Sequence, residues 1–251
     1  IILTGICTAL LYVGGMNVFD AVCHSFSTIG TGGYSTKQAS VAHWNSAPIE
    51  YIIGIFMIIS SLNYSLLSSC LQGKFKRLFQ NGEIRWFLGS VTVITFIITA
   101  TLFFKMDYPI ELAFRKAFFQ VSTIHSSSGF ASDDYNLWPH FTWILLIFAM
   151  MAGGCTGSTA GGMKNMRIMI VWRNIKNEFK RLIHPNAVLA VRINKQVIPQ
   201  TLLNTVSTFI VFFIACSLIG TMLLMALDVN FLEAFSCTIS SLSNTGPALG
   251  E

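Results

Sequence analysis

The sequence predicts an all-α polytopic membrane protein built from repeated units, each a span, a short re-entrant helix, a polar glycine-bearing strand and a second span. Three observations predict this. The 251 residues are 53% hydrophobic, 13% aromatic and only 11% charged, with a mean hydropathy of +0.62, whereas a soluble domain carries about 25% charged residues. Four stretches reach the roughly 20 mostly apolar residues that a bilayer demands. Three short polar stretches, each following a half-apolar segment, share residues at fixed offsets. A disordered chain would be rich in charge and poor in aromatics. The six cysteines, Cys7, Cys23, Cys70, Cys155, Cys216 and Cys237, are scattered without a Cys-x-x-Cys pair and sit mostly in apolar runs, which excludes a disulfide scaffold.

Taken in order, residues 1–16 are apolar but short and lack a basic n-region, so they read as the tail of a span rather than a signal peptide. Residues 48–71, 84–104, 141–170 and 200–227 are the four span candidates, the third interrupted by glycines. Between them lie 17–28, 109–123 and 230–241, too short to cross and suited to re-entrant helices. Their starts carry capping signals: Asn17 with Asp20, Asn230 with Glu233, and Asp107 ahead of Pro109.

Twelve of the 16 basic residues fall in two stretches, 73–85 and 164–195, accompanied by only Glu83 and Glu178. The positive-inside rule makes these stretches cytoplasmic and turns the three short segments outward. Asp20, Glu50, Asp107, Glu111, Asp133, Asp134, Asp228 and Glu233 then lie on the outer side, where their field favours cations. The basic stretches read as topology signals, with lipid head groups or a cytoplasmic partner as the alternative.

The three polar stretches align on Gly33, Gly129 and Gly246, 96 and 117 residues apart. Each has a hydroxyl residue six before the glycine (Ser27, Thr123, Ser240) and an alanine twelve before it (Ala21, Ala117, Ala234). Irregular backbone at membrane depth survives only where it lines a water-filled path, and a ring of carbonyls can replace the hydration shell of a cation. Small residues keep the axis open, and glycine supplies the dihedrals that turn carbonyls inward. The expected ion ligands are the carbonyls of Thr31, Gly32 and Gly33, of Ser127, Ser128 and Gly129, and of Asn244, Thr245 and Gly246. Short helices would aim their partially negative C-terminal ends at the same path.

Residues 141–170 would form one helix but for Gly153, Gly154, Gly157, Gly161 and Gly162, each costing roughly 0.8–1 kcal/mol relative to alanine. Broken in mid-membrane, the segment would line a cavity and gate it, with Thr156, Ser158 and Thr159 satisfying nearby carbonyls. Helix packing through small residues four apart is the other reading.

These repeats, ending in Gly-Gly-Tyr, Ser-Gly-Phe and Thr-Gly-Pro, resemble the Trk/Ktr/HKT superfamily of potassium transporters. The run Gly153-Gly154-Cys155-Thr156-Gly157-Ser158-Thr159-Ala160-Gly161-Gly162-Met163-Lys164 resembles that family's intramembrane gating loop in the third repeat. Arg181-Leu182-Ile183-His184-Pro185-Asn186-Ala187-Val188, followed by Val191-Arg192, resembles the cytoplasmic linker of its bacterial TrkH branch. The resemblance covers essentially the whole chain and implies a fold like a fused tetrameric potassium channel. It divides the chain into 1–72 (repeat two, first span truncated), 73–172 (repeat three, second span broken), 173–198 (linker) and 199–251 (repeat four, last span missing). Tyr34 stands where phenylalanine is commoner in the family. The resemblance further implies gated potassium uptake across the bacterial plasma membrane, a homodimer, and a cytosolic TrkA-like nucleotide-binding regulatory subunit. Membrane lipid is the surrounding partner, potassium is the substrate, and neither a bound cofactor nor a nucleic-acid partner is expected.

Other classes fit less well. A serine hydrolase would need a base beside Ser158, but Gly157-Ser158-Thr159-Ala160-Gly161 lacks the Gly-x-Ser-x-Gly spacing. No Gly-Lys-Ser/Thr follows the glycines to make a phosphate loop, and the five histidines lack metal-ligand spacing. His24 and His125 read as hydrogen-bonded wall residues. A sodium- or proton-coupled secondary cation transporter is the alternative, and it would call for an acid or base inside a span.

Overall fold

The computed structural model describes residues 1–184, 187, 189–194 and 196–250, and only the backbone of Leu71 and Phe75. Of the linker motif, Pro185, Asn186 and Val188 lie outside the described residues, as does Lys195 of the basic stretch. The described residues are almost wholly helical. The helices are α1 (Ile2–Val13), α2 (Val18–Ile29), α3 (Ala47–Ser60), α4 (Tyr64–Leu71), α5 (Phe75–Gln80), α6 (Gly82–Met106), α7 (Ile110–His125), α8 (His140–Ala152), α9 (Asn165–Ile183), α10 (Gln200–Met225) and α11 (Phe231–Ser243). A two-residue hairpin pairs β1 (Arg192–Ile193) with β2 (Gln196–Val197), antiparallel.

Among the described residues, only α6 and α10 are long and apolar enough to cross a membrane unbroken. The expected span at 48–71 is instead two helices, α3 and α4, bent by 106°. The cause is local. Ser60 and Ser61 donate their hydroxyls back to the Met57 carbonyl, and Asn63 caps α4 by accepting from the backbone of Ser65 and Leu66, so the helix restarts in a new direction. The stretch 141–170 is likewise divided: α8, 13 residues long, rises only about 20 Å at 1.5 Å per residue, and α9 begins beyond the glycines.

The three short segments are the helices α2, α7 and α11. Asn17 caps α2 as expected, accepting from the Asp20 N–H at 2.7 Å. The matching pattern fails in the other two. Asn230 turns its amide toward the Glu233 carboxylate and makes no side-chain cap, and α7 starts from Pro109 without one.

Two of the short helices, α7 and α11, pack closely against a glycine of a neighbouring helix. A Cβ on Gly54 of α3 would meet the Phe118 ring of α7 at 2.6 Å, and one on Gly220 of α10 would meet Thr238 of α11 at 2.6 Å. The largest core gathers α6, α7 and α8 around Phe87, Ile98, Leu102 and Trp138, while α1, α2 and α3 close around Leu11, Ile49, Ile53 and Met57. A third cluster joins α9, the hairpin and α10. Outside it, α10 exposes Val211, Phe212, Ile219, Met222 and Leu223, an apolar surface suited to lipid rather than water. All six cysteines are free.

Candidate functional site

The three glycine segments share one backbone geometry. Two residues before each glycine the chain is left-handed, at Thr31 (φ 52), Ser127 (φ 55) and Asn244 (φ 53), and the glycines themselves have φ of 70, 86 and 102 for Gly33, Gly129 and Gly246. The preceding N–H groups, of Gly32, Ser128 and Thr245, donate to the carbonyls of Ser27, Thr123 and Ser240 at 2.7, 2.9 and 2.9 Å. Ala21, Ala117 and Ala234 are each completely buried where the short helix packs. The expected segment residues are thus brought together in equivalent places: Gly33 backs onto the Ser128 carbonyl and Gly129 onto that of Thr245, so neighbouring segments touch.

The hydroxyls six before the glycines share a further property. Ser27 Oγ, Thr123 Oγ1 and Ser240 Oγ are buried without a hydrogen-bond partner among the described residues, and so are Ser127 Oγ and Thr245 Oγ1. An unpaired buried hydroxyl costs free energy, so this ring of oxygens is suited to water or a cation. No cluster of His, Cys, Asp or Glu with metal-binding geometry occurs among the described residues.

Behind the segments, each repeat is braced differently. His24 is buried, with Nδ1 at 2.8 Å from the Asp20 carbonyl and Nε2 at 2.9 Å from Ser35 Oγ, and Phe130 stacks on its ring. His125 ends α7 rather than standing on the strand, and its Nε2 lies 2.9 Å from Ser90 Oγ. Phe130 is buried while Tyr34 is exposed. Ser236 Oγ accepts from the Leu249 N–H at 3.0 Å and donates to the Leu249 carbonyl at 3.3 Å. Tyr135 donates to the Ala248 carbonyl at 2.5 Å, tying the third repeat to the fourth.

Two groups outside the spans have shifted acidities. The Thr36 hydroxyl, bonded to Oδ1 at 2.5 Å, together with Lys37 and Asn17, holds the Asp20 carboxyl below the usual carboxylate range despite its burial. Burial, reinforced by Asp134, pushes the Tyr135 phenol up to about 12.

The glycine loop lies against the ends of two short helices. Thr159 Oγ1 donates to the Ile29 carbonyl, at the end of α2, at 3.3 Å. A Cβ on Gly161 would stand 1.9 Å from the Ser243 carbonyl, at the end of α11. The loop's neck is closed by Met163 N–H to Met151 O at 2.9 Å and Asn165 N–H to Gly154 O at 3.1 Å, with Gly162 packed on Gly153. Its outer edge is held from the bend between α3 and α4: Asn63 donates to Thr156 O at 2.6 Å, Tyr64 N–H to Gly157 O at 3.0 Å and Cys155 N–H to Ser61 O at 2.9 Å. Ser158 Oγ donates to the Cys155 carbonyl, and Lys164 donates to that of Ala160.

Three charged residues pack behind this site beyond their sequence reading, in which Glu83 is an acid among bases, Glu50 one of the outer-side acids whose field favours cations, and Lys116 is not singled out. Glu83, an acid within a basic stretch, is buried and accepts the Thr156 N–H at 2.6 Å. Glu50 and Lys116 are also buried, and paired. The available signals were an acid where only bases belong, and two adjacent bases, Arg115 and Lys116, inside a half-apolar helix.

Three segments of like backbone geometry, each following a short helix in an apolar helical bundle, define a repeat protein of membrane-compatible composition. Comparison with known proteins gives the family. The TrkH model, described as a cation transport protein, matches residues 1–251, and the chain belongs to that family. It is 37% identical over 252 residues to the Trk system potassium uptake protein TrkH of Salmonella typhimurium, covering all of this chain and 52% of that one. It is 36% identical, with the same coverage, to the TrkH protein of Escherichia coli K12. The crystal structure of the potassium transporter TrkH from Vibrio parahaemolyticus superposes with a TM-score of 0.94 at 34% identity, over 99% of this chain and 54% of that one. The chain spans about half the length of the curated relatives it matches.

Proposed function

We propose that this chain supplies three quarters of the ion path of a potassium uptake protein, with carbonyls of residues 31–33, 127–129 and 244–246 as the selectivity filter and residues 153–162 as the gate. One observation carries the reading. The three segments repeat the same left-handed residue, the same positive-φ glycine, the same backbone hydrogen bond and the same unpartnered hydroxyl. Packing alone does not demand such agreement between stretches whose side chains differ. A left-handed residue two before a positive-φ glycine turns carbonyls toward one side, and a ring of them can take over an ion's hydration shell. The chain is divided into the units 1–72, 73–172, 173–198 and 199–251.

The gate reading rests on position. The loop touches the carbonyl ends of α2 and α11, so an ion leaving the segments would meet it. Its neutral glycines can move aside once the contacts at its outer edge are released, and the side-chain contacts of Asn63 and Glu83 make those two residues part of its latch. The segments face outward and the basic stretches 73–85 and 164–195 face the cytoplasm of a bacterial plasma membrane. A homodimer and a TrkA-like cytosolic subunit follow by analogy with the family. The exposed stripe Trp172, Ile175, Phe179 and Leu182 on α9, flanked by Arg173, Lys176 and Lys180, supplies a surface for either.

The test is potassium and sodium uptake by the full-length protein in cells lacking other potassium importers, at submillimolar potassium. Growth rescue with potassium uptake well above sodium is the expected result. Uptake that requires sodium would assign the protein to a sodium-coupled carrier, and no uptake of either ion would end the reading.

A further inference from the structure

Thirteen residues before each glycine, in the first half of each short helix, stands a charged residue: Asp20, Lys116 and Glu233. Each reaches the chain that leaves its own glycine segment. Asp20 Oδ1 accepts from Thr36, three beyond Gly33. Lys116 Nζ donates to the carbonyl of Ser132, three beyond Gly129, at 2.8 Å. Glu233 lies against Gly250, four beyond Gly246, where a Cβ would meet its Cγ at 2.5 Å.

The middle member inverts the charge, and the inversion needs a partner. Lys116 is only 7% exposed, and an isolated buried ammonium is strongly unfavourable. Its counter-ion comes from the preceding repeat: Glu50, in the first turn of α3, is 0% exposed and places Oε1 2.8 Å from Lys116 Nζ. Arg115 Nε lies 3.7 Å from the other Glu50 oxygen and 3.5 Å from Glu111. One turn further along α3, the close approach of Gly54 to Phe118 holds the same two helices together. Among the described residues no other ion pair joins one repeat to the next.

We propose that Lys116, held by Glu50, is the positioning residue for ion discrimination at the Gly129 segment. Its ammonium anchors the Ser132 carbonyl, and through the two intervening residues, Phe130 and Ala131, it fixes where the Ser127, Ser128 and Gly129 carbonyls point. The pair touches no ion. It acts by keeping one quarter of the ligand ring in register with the quarter contributed by the repeat that supplies Glu50. The proposal rests on the reading of these segments as a potassium path.

The experiment uses the full-length protein and compares initial potassium and sodium uptake with the thermal unfolding midpoint in detergent. The unaltered protein is measured first, since equal uptake of the two ions there would sink the path reading itself, and this proposal with it. The double variant Glu50→Gln/Lys116→Met removes both charges together, leaves Arg115 its Glu111 partner, and leaves Ser132 without its donor. The expected result is a potassium-to-sodium ratio lowered about tenfold, the scale of one hydrogen bond from a charged donor, with the melting point held within a few degrees. Lys116→Arg, which keeps the charge and the donor, is expected to retain the ratio. A double variant that folds and discriminates like the parent overturns the proposal and leaves the pair a packing element. If the double variant does not accumulate, Glu50→Asp, which withdraws the carboxylate by one methylene, is measured in its place. A ratio lowered severalfold supports the proposal, and an unchanged ratio overturns it.

Discussion

Gly33 and Ser128 belong to different repeats, yet a Cβ on Gly33 would stand 1.9 Å from the Ser128 carbonyl oxygen. The two segments are in backbone contact, so a side chain at Gly33 displaces the neighbouring segment's carbonyl as well as straining its own φ of 70. The same holds for Gly129, where the distance to the Thr245 carbonyl would be 2.4 Å. Gly33→Ala and Gly129→Ala are expected to abolish potassium uptake by the full-length protein, or its preference over sodium, at expression levels verified by immunoblot.

Gly246 has no atom within 4 Å of its would-be Cβ, so only its φ of 102 resists a side chain. A non-glycine residue held in such a conformation costs about 1–2 kcal/mol. Gly246→Ala should therefore be the mildest of the three, retaining measurable uptake with relaxed selectivity. Gly129→Ser and Gly246→Ser should both lower selectivity, Gly129→Ser the more. Full selectivity in both would count against the filter reading.

Removing three residues within 157–161 shortens the loop that lies under the short-helix ends. Flux should rise. A fall in flux with an unchanged melting temperature would make the loop a packing element.

Glu83 holds that loop through the Thr156 N–H. Glu83→Gln keeps an acceptor but removes the charge, exchanging a charge-assisted bond for a neutral one at a loss of about 1 kcal/mol. Uptake is expected to increase roughly fivefold if this bond is broken in the open state. An unchanged rate would remove Glu83 from the latch.

The Asp20 carboxyl lies below its ordinary range in the folded protein. A lowered pKa means that the stabilisation is complete above the unfolded-state value, near pH 4, and fades as pH falls through the lower folded value. Thermal unfolding of the parent should therefore lose stability below about pH 4 by more than Asp20→Asn does, and at pH 7 the variant should melt lower. Parallel curves across this window would show that Asp20 contributes nothing through its charge.

Much of the site was legible because its constraints are local. A positive φ selects glycine, a tight helix contact selects alanine, and both leave marks at fixed offsets, which is why Ala21, Ala117 and Ala234 lined up with Gly33, Gly129 and Gly246. The glycine loop was legible for the same reason, since five weak helix formers within ten residues break any helix. What stayed hidden depends on distant partners. The bend between α3 and α4 turns on Asn63, whose amide is engaged 93 residues away at Thr156. Glu50 and Lys116 are 66 residues apart, so neither carries a local sign of being buried, and Glu50 read as one more acid of an outer loop. Asn230 misled because it repeats the Asn17 pattern while its side chain turns to a carboxylate.

The sign reversal at Lys116 makes the repeats non-interchangeable. Its counter-charge sits on α3, the helix following the Gly33 segment, whereas the corresponding helix of its own repeat, α8, offers His140, Phe141, Thr142 and Trp143 in its first turn and no acid. A symmetric ring assembled from four copies of the third unit would bury four ammonium groups with nothing to neutralise them. The cyclic order of the units is thus written into their charges, and a gene that shuffled them would encode a protein unable to close.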